Sequence, residues 1–375
     1  MKLGFLYGVI YPVMDIEVGD CLIAHSGVTH IGLVRNNQRC CYCIDGECRG
    51  FVMVADSGNN GGNFIRVRIH SVQNTERHNG TALGMVYTVN YVSNVVKVTG
   101  HAGQFRFSFI VTQGQKDATR YVKGWCANHP NEEVRFIACG GDGTINEVFN
   151  GAVGFENVSV TCYPCGSGND FVKAFGGSER FLNVEKLIHA PEQKLDLIKA
   201  GEHYSVNVLN FGFDTTVAIT INKERAKTGH GSKNAYTKGV IMGLLTAMKN
   251  TCTVTADGEV LNPKGKALLC TLANGRYVGG SFCCAPRALT NDGLIEVCLL
   301  KPISRLRFVK ILTPYTNGQH LDDPKMKDIV VYRQAKSIHV QGPEGFAYSL
   351  DGEIIYANDF TVEVVPGALN LAVPE

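Results

Sequence analysis

The residues best suited to chemistry lie in a glycine-rich turn. A hydrophobic run at 134–138 leads into Cys139–Glu147, where helical periodicity begins. Such a turn points backbone N–H groups and a helix N-terminus at one space, where a phosphate can bind. Asp142 could hold Mg²⁺ there, and the capping-box spacing of Thr144 and Glu147 predicts that the helix begins at Thr144. The candidate nucleotide contacts are Gly140, Gly141, Asp142, Gly143, Thr144, Ile145, Asn146 and Glu147.

A second glycine turn occupies 164–171, again between a strand and a helix. Ser167 could donate to a phosphate, and Asp170 could bind Mg²⁺ or order the loop. By itself the segment is better explained as a capped helix, with Asn169 or Asp170 as the cap. Paired with the first turn on a neighbouring strand, it would form the other wall of a nucleotide cleft. Its candidate contacts are Gly166, Ser167, Asn169 and Asp170.

Two further positions carry candidate chemistry. Thr112 follows a strand at 105–111 and can reach a nucleotide, although a simple helix approach explains it equally well. Asp351 ends a strand in an Asp-Gly pair, which is also a good hairpin turn. In the functional interpretation, Asp351 is a general base that takes a proton from an attacking hydroxyl, and Glu353 assists in positioning.

Alternating strands and helices between about 103 and 175 must position these residues. They predict a parallel sheet with helices on both faces and ligand sites at the carboxyl ends of the strands. After residue 195 the pattern is mostly strands, with a helix at 234–248, and predicts a β-sandwich-like domain. The first hundred residues have the pattern of short strands and turns.

Composition bounds the class of protein. The 375 residues, 45% of them hydrophobic, suffice for two or three domains, and a net charge of +2 predicts no nucleic-acid partner. No apolar run approaches the ~20 residues of a membrane span. Many of the 14 cysteines lie in hydrophobic runs, which indicates a reducing cytoplasm. Zinc binding by Cys40, Cys41, Cys43 and Cys48 is the minority interpretation.

The motifs together resemble the bacterial soluble diacylglycerol kinase and lipid kinase family. The resemblance covers roughly 104–375 and rests on runs that occur in order along the chain. It implies an α/β nucleotide-binding domain like those of NAD kinases and diacylglycerol kinases, a C-terminal β-sandwich domain and an active site between them. The runs are Gly141–Glu147, Pro164–Phe171, Asn274–Gly280, Asn291–Leu294, Leu350–Glu353 and Phe360–Leu369.

The resemblance also implies residue roles. Thr112, Gly141–Glu147 and Ser167 match ATP-contacting positions, and Asp351 matches the proton acceptor. A structural Mg²⁺ site in the second domain is implied at Leu289 and Leu294, through their carbonyls, and at Asp292. One departure concerns the start of the chain, where no room remains for the first helix of the family. The predicted divisions are a β-rich region foreign to the family at 1–100, an ATP-binding domain at 101–196, a lipid-substrate domain at 197–357 and a returning segment at 358–375.

We therefore expect a kinase that uses ATP and Mg²⁺ to phosphorylate a lipid hydroxyl, with diacylglycerol giving phosphatidic acid as the leading reaction. The alternatives are an NAD kinase, against which the Asp-Gly-Glu run argues, and a non-catalytic nucleotide-binding regulator. Two basic runs, at 223–249 and 301–310, suit either an anionic lipid surface or a solvated face. We expect a cytoplasmic protein, as its cysteines indicate, that is peripheral at the membrane because its expected substrate is a lipid; a homodimer is left open.

Overall fold

The fold is described here from a computed structural model. Residues 1–109 are described only by the backbones of their strands. From residue 110 the chain is described except for 113–114, 167, 229–232 and the side chains of 111, 185 and 225–237. The chain divides into two compact units: unit 1 comprises 1–193 and 369–375, and unit 2 comprises 194–368.

Unit 1 contains a mixed sheet. Strands Val134–Gly140 and Val158–Pro164 pair in parallel, and Asn370 and Leu371 extend the parallel set beyond the second of them. On the other side, Phe51–Asp56 pairs antiparallel with both Val134–Gly140 and Phe105–Val111. The sheet continues through antiparallel neighbours to Val95–Ala102, Met85–Val92 and His78–Ala82. Short strand pairs also occur at Phe5–Leu6 with Val9–Ile10 and at Tyr42–Ile44 with Glu47–Arg49.

The helices of unit 1 pack on this sheet through apolar faces. In α1 (Asp117–Asn128), Ala118, Val122 and Cys126 are buried, and in α2 (Asp142–Ala152) the buried set includes Val148 and Phe149. The short helices α3 (Asp170–Lys173) and α4 (Val184–Ile188) follow, with a 3₁₀ turn at Ser178–Phe181 between them. The α/β expectation for this region is confirmed, with antiparallel strands added on one side.

One prediction about α2 is wrong. The helix begins at Asp142 with Gly141 as its N-cap, two residues before Thr144, and no side chain caps it. Glu147 instead accepts a hydrogen bond from the backbone N–H of Ala118, at 3.3 Å. The expected capping-box partner therefore stabilises the N-terminus of the neighbouring helix α1, which carries no side-chain cap of its own.

Unit 2 is a β-sandwich with a helical layer. Its six-stranded antiparallel sheet has the order Val330–Ala335, Ile295–Leu300, Leu269–Ala273, Val208–Gly212, Ala347–Leu350 and Glu353–Tyr356. A second set of strands pairs Glu259–Val260, Thr253–Ala256, Ser337–Gln341 and the start of Asp359–Ala372. Side chains from both sets, such as Leu272 and Val340, form one buried core. The remaining strands are Glu192–Ala200, His203–Ser205, Asn250–Thr251 and Lys266–Ala267.

Three helices cover the other face of the six-stranded sheet: α5 (Phe213–Thr228), α6 (Lys233–Thr246) and α7 (Arg305–Thr316). A 3₁₀ turn at Pro324–Met326 follows. The sequence predicts only α6. It misses α5 because its first half is rich in β-branched residues and α7 because Pro314 lies inside it. Tertiary packing stabilises both helices, since the ring centroids of Phe213 in α5 and Phe308 in α7 lie 4.6 Å apart.

The nine cysteines whose side chains are described are buried. Burial raises the pKa of Cys298 to about 12 and that of Cys252 to about 11, so these thiols stay protonated at neutral pH. They pack as small apolar side chains, as their hydrophobic context predicts. The candidate zinc cluster at 40–48 lies outside the described side chains. Within the described chain, no helix has both the length and the apolar character to cross a membrane.

Buried His320 predicts an acid-sensitive fold. Burial lowers its pKa from 6.5 to about 4, so only the unfolded chain takes up this proton between those values. Stability should fall by up to about 3 kcal/mol as pH drops from 6.5 to 4. Denaturant unfolding of wild type and His320→Gln across this pH range measures the effect. The difference between their free energies of unfolding isolates His320, because the other titrating groups are common to both proteins. The variant should gain relative stability at low pH; parallel curves would contradict the assignment.

Candidate active site

The first glycine turn places a helix N-terminus at the end of a strand. Val134–Gly140 ends at Gly140, Gly141 caps α2, and the next N–H groups have no partner within the helix. A Cβ on Gly140 would overlap the side chain of Thr144, so Thr144 folds back over the strand end. Ile145, predicted as a nucleotide contact, is 1% exposed and belongs to the core.

Asp142 joins this turn to the second one. Its Oδ1 accepts hydrogen bonds from the backbone N–H groups of Asp170, at 2.7 Å, and Phe171, at 3.2 Å. The backbones also meet, because a Cβ on Gly166 would lie 2.5 Å from the Cα of Gly141. Asp142 therefore reaches across from the start of α2 to hold the start of α3, and the two turns form one surface.

Several predicted contacts stabilise the turns themselves. Asn169 has a left-handed backbone with φ of 49°, and its side chain both donates to and accepts from Gly166 at 2.9 Å. Asp170 is 7% exposed and pairs with Lys173 at 2.6 Å. The backbone carbonyl of Glu147 accepts from the hydroxyl of Thr119, at 2.8 Å. Ser167 lies outside the described residues, and Asn146 lies in the second turn of α2.

The same surface restricts how a metal could bind. Oδ1 of Asp142 already accepts hydrogen bonds from two amides, so Oδ2 is the atom that would coordinate Mg²⁺. Asp170 is already neutralised by Lys173. The described residues contain no cluster of three or more His, Cys, Asp or Glu that could hold a metal. The donors therefore fit an ion held mainly by nucleotide phosphates with one carboxylate in support, as is usual for Mg²⁺.

Thr112 shares an edge of the sheet with both turns. Strands Phe105–Val111 and Val134–Gly140 run the same way, since each is antiparallel to Phe51–Asp56, and Phe51 pairs with Val111 on one side and Cys139 on the other. One strand thus lies between Thr112 and the first turn, a separation of about 10 Å at usual strand spacing. Thr112 is 9% exposed there.

In unit 2, Asp351 lies in a cradle of hydrogen-bond donors. The Asp351-Gly352 pair forms the predicted tight turn, with positive φ at both residues and Leu350 paired to Glu353. The Asp351 carboxylate accepts from the Ser205 hydroxyl, at 2.8 Å, and from three consecutive backbone N–H groups. The amide donors are Val206 at 2.7 Å, Asn207 at 3.2 Å and Val208 at 2.8 Å.

This cradle holds a negative charge in one place. Charge-assisted bonds from backbone amides are short and stabilise a carboxylate as the anion. The turn and the functional interpretation of Asp351 are therefore compatible. Sequence reasoning missed the donors because they lie about 145 residues earlier and need no particular side chain except at Ser205.

The implied metal loop of unit 2 is held by an acid that the sequence did not single out. Asp196 is 2% exposed, and its two oxygens accept at 2.7 Å from the N–H groups of Gly293 and Gly367. Within the loop, Oδ1 of Asp292 accepts from the N–H of Leu294 at 3.1 Å. The predicted ligands there, one carboxylate and the carbonyls of Leu289 and Leu294, would be an all-oxygen set of the kind that suits a hard cation.

Comparison with known proteins shows which family has this architecture. An α/β unit with glycine turns at its strand ends, followed by a β-sandwich, is a fold of the diacylglycerol kinase type. The diacylglycerol kinase catalytic domain model matches residues 88–200, and the YegS C-terminal NAD kinase beta sandwich-like domain model matches 207–373.

Curated relatives agree. The chain is 30% identical over 273 residues to "Probable lipid kinase YegS-like" of Alcanivorax borkumensis, covering 71% of this chain and 86% of the relative. It is 30% identical over 221 residues to "Diacylglycerol kinase" of Bacillus subtilis, covering 58% and 70%. A crystal structure of a diacylglycerol kinase from Bacillus anthracis shares the fold, with a TM-score of 0.55, 24% identity and coverage of 70% and 84%. The chain belongs to the YegS and diacylglycerol kinase family of lipid kinases.

Gly143 offers a test of the phosphate surface. A Cβ there meets nothing within 4 Å, so the fold itself does not need this glycine. If phosphates occupy the space, Gly143→Ala should weaken binding of Mg·ATP at least about tenfold and leave the melting temperature unchanged or raised. Titration calorimetry and thermal unfolding measure both quantities.

Gly124→Ala is the matched control, since Gly124 is a helical glycine with equally open surroundings in α1. It should leave Mg·ATP affinity unchanged. Equal affinities for wild type and both variants would show that no ligand approaches Gly143.

Proposed function

We propose that this protein transfers the γ-phosphoryl group of ATP to a lipid hydroxyl, with diacylglycerol as acceptor and phosphatidic acid as product. The observation that carries the proposal is that the amides of Asp170 and Phe171 both donate to Asp142, which joins the two proposed phosphate-binding turns into one surface. Family membership supports the kinase class, and the Bacillus subtilis relative supports the acceptor.

The proposed chemistry needs little beyond positioning and charge. Phosphoryl transfer passes through a loose transition state in which an enzyme mainly orients the groups and neutralises charge. N–H groups of Gly141–Thr144 would bind the phosphates, and the missing Cβ atoms of Gly140 and Gly166 let Thr144 and Gly141 pack closely beside them. Mg²⁺, supported by Asp142, would supply positive charge on the phosphate oxygens. Thr112 and Ser167 would contribute hydroxyl contacts to the nucleotide.

Asp351 is proposed to orient the lipid hydroxyl and receive its proton, with Glu353 supporting its charge. The cradle fits this role, because a carboxylate fixed as an anion can orient a hydroxyl without rearranging. In a loose transition state the proton leaves late, so orientation counts for more than prior deprotonation. A second cation at Leu289, Asp292 and Leu294 is proposed as structural, holding the loop that Asp196 also anchors.

Family membership favours a lipid acceptor over NAD, although the matched sandwich domain is also NAD kinase-like. A non-catalytic nucleotide-binding protein is the second candidate, and the fixed Asp351 carboxylate speaks against it. Because the acceptor resides in a bilayer, we propose peripheral action at the cytoplasmic membrane surface.

Transfer of label from γ-labelled ATP to lipid acceptors in mixed micelles tests the reaction. Diacylglycerol should acquire label when Mg²⁺ is present and should acquire none when EDTA is added before the ATP. Other hydroxyl lipids and NAD serve as competing acceptors. Label in NAD alone, or in no acceptor with ATP bound, would refute the proposal.

Replacement of Asp351 separates chemistry from binding. Asp351→Asn should reduce turnover at least about 100-fold, the usual scale for loss of an acid-base group, and leave Mg·ATP affinity largely intact. Thermal unfolding reports any loss of folded protein.

Asp359→Asn is the matched control, since Asp359 is an exposed acid of the same unit whose partners are His339 and Gln341. It should leave turnover unchanged. Full activity in Asp351→Asn would remove Asp351 from the mechanism.

A further inference from the structure

Helices α6 and α7 present adjacent apolar side chains on their outer faces. The described part of the chain has eight large hydrophobic side chains that are exposed, and five of them lie on these two helices. Scattered exposed hydrophobics are ordinary, whereas a contiguous group marks an interaction site. We call these five the α6–α7 patch: Ile241, Met242, Leu245, Leu306 and Val309.

The outward orientation follows from how the helices pack. Val240, Leu244 and Ala247 of the α6 region face the core of unit 2, as do Phe308 and Ile311 of α7. The opposite faces therefore point away from that core, and they are apolar as well. Leu306 is 79% exposed and Leu245 is 63% exposed. A helix face that contacts only water normally carries polar side chains, so these leucines indicate a binding partner.

Arg305 connects the two halves of the patch. Its guanidinium donates to the carbonyls of Leu244, at 2.6 Å, and Leu245, at 3.3 Å. The C-terminal end of α6 therefore lies beside the N-terminal end of α7, and Leu245 and Leu306 are neighbours across it. The guanidinium also places a positive charge in the patch, because it bonds to carbonyls and not to an acid.

The charge around the patch is positive. Neither helix contains Asp or Glu, whereas α6 has two lysines and α7 has Arg305, Arg307 and Lys310. Lys249 and Lys301 are exposed just outside the helices. Among these cations, Arg307 is neutralised by Asp328, and Lys238 pairs with Glu224. Lys249, Lys301, Arg305 and Lys310 remain as a cationic rim.

We propose that the α6–α7 patch is the surface by which this protein docks on an anionic phospholipid bilayer. Interfacial helices insert apolar side chains among the acyl chains and place cationic side chains at the headgroups, and the α6–α7 patch with its rim has this arrangement. The rim argues against a second copy of the chain as occupant, since a two-fold contact would bring like charges together. This inference rests on the proposed function, because a lipid kinase must reach acceptors that are held in a bilayer.

Vesicle sedimentation without ATP or acceptor tests the surface separately from catalysis. The full chain should bind vesicles of phosphatidylcholine with phosphatidylglycerol more tightly than phosphatidylcholine alone, and less tightly as salt rises. Leu306→Gln should weaken binding about tenfold, and adding Leu245→Gln should weaken it about tenfold further. Lys310→Glu should weaken binding to anionic vesicles at least about fivefold.

Val260→Gln is the matched control, because Val260 is 43% exposed on a hairpin of the same unit outside the patch. It should bind vesicles as wild type does. Thermal unfolding should show that all variants remain folded. Wild-type binding by the double leucine variant, or no binding of wild type to anionic vesicles, would overturn the proposal. A dimer or a complex with an acidic protein that these substitutions dissociate, without vesicle binding, would overturn it too.

Activity assays then separate the two proposals. The leucine variants should lose phosphorylation of long-chain diacylglycerol in vesicles and keep that of water-soluble dihexanoylglycerol. Equal loss on both acceptors would contradict a docking role. Absence of activity on dihexanoylglycerol in wild type would count against the proposed function, while the vesicle-binding result would still decide the surface.

Discussion

The contact on which the rest of the candidate site depends is the bond between one carboxylate and two amides. Asp142 lies at the start of α2 and holds the first residues of α3 through Asp170 and Phe171. Without it, two separate strand ends would each carry a weak phosphate turn. With it, Gly141 and Gly166 are held in contact, and the two turns form one fixed surface. Fixed dipoles bind charge without reorganisation, which is what phosphoryl transfer requires.

Unit 2 uses the same kind of contact. There a carboxylate is held by amides of the Val206–Val208 segment, and the positive φ of Asp351 is tolerated because those bonds over-determine the turn. Behind this turn lies a sandwich core on one face of the six-stranded sheet and a helical layer on the other. The same helical layer carries the apolar patch, so one unit supplies both the proposed proton acceptor, Asp351, and the proposed docking surface.

Short motifs could be predicted from the sequence because their chemistry is local. The hydrophobic run at 105–111 predicts the strand Phe105–Val111, and residue type predicts the Asp-Gly turn. Long-range features could not be found in this way. The strand Phe51–Asp56 pairs with segments some fifty and eighty residues later, and the donors to Asp351 are backbone groups. Helix α5 was missed because packing of Phe213 overrides the strand preference of its β-branched residues.

Hydrogen exchange at the amides of Asp170 and Phe171, read together with Mg·ATP affinity, tests the central claim most directly. In wild type these amides should exchange slowly, and Mg·ATP should slow the neighbouring amides of Gly143 and Thr144. In Asp142→Ala both amides should exchange faster, and Mg·ATP affinity should fall. Faster exchange with unchanged affinity would contradict the account, because it would show that the two turns need not be joined to bind the nucleotide.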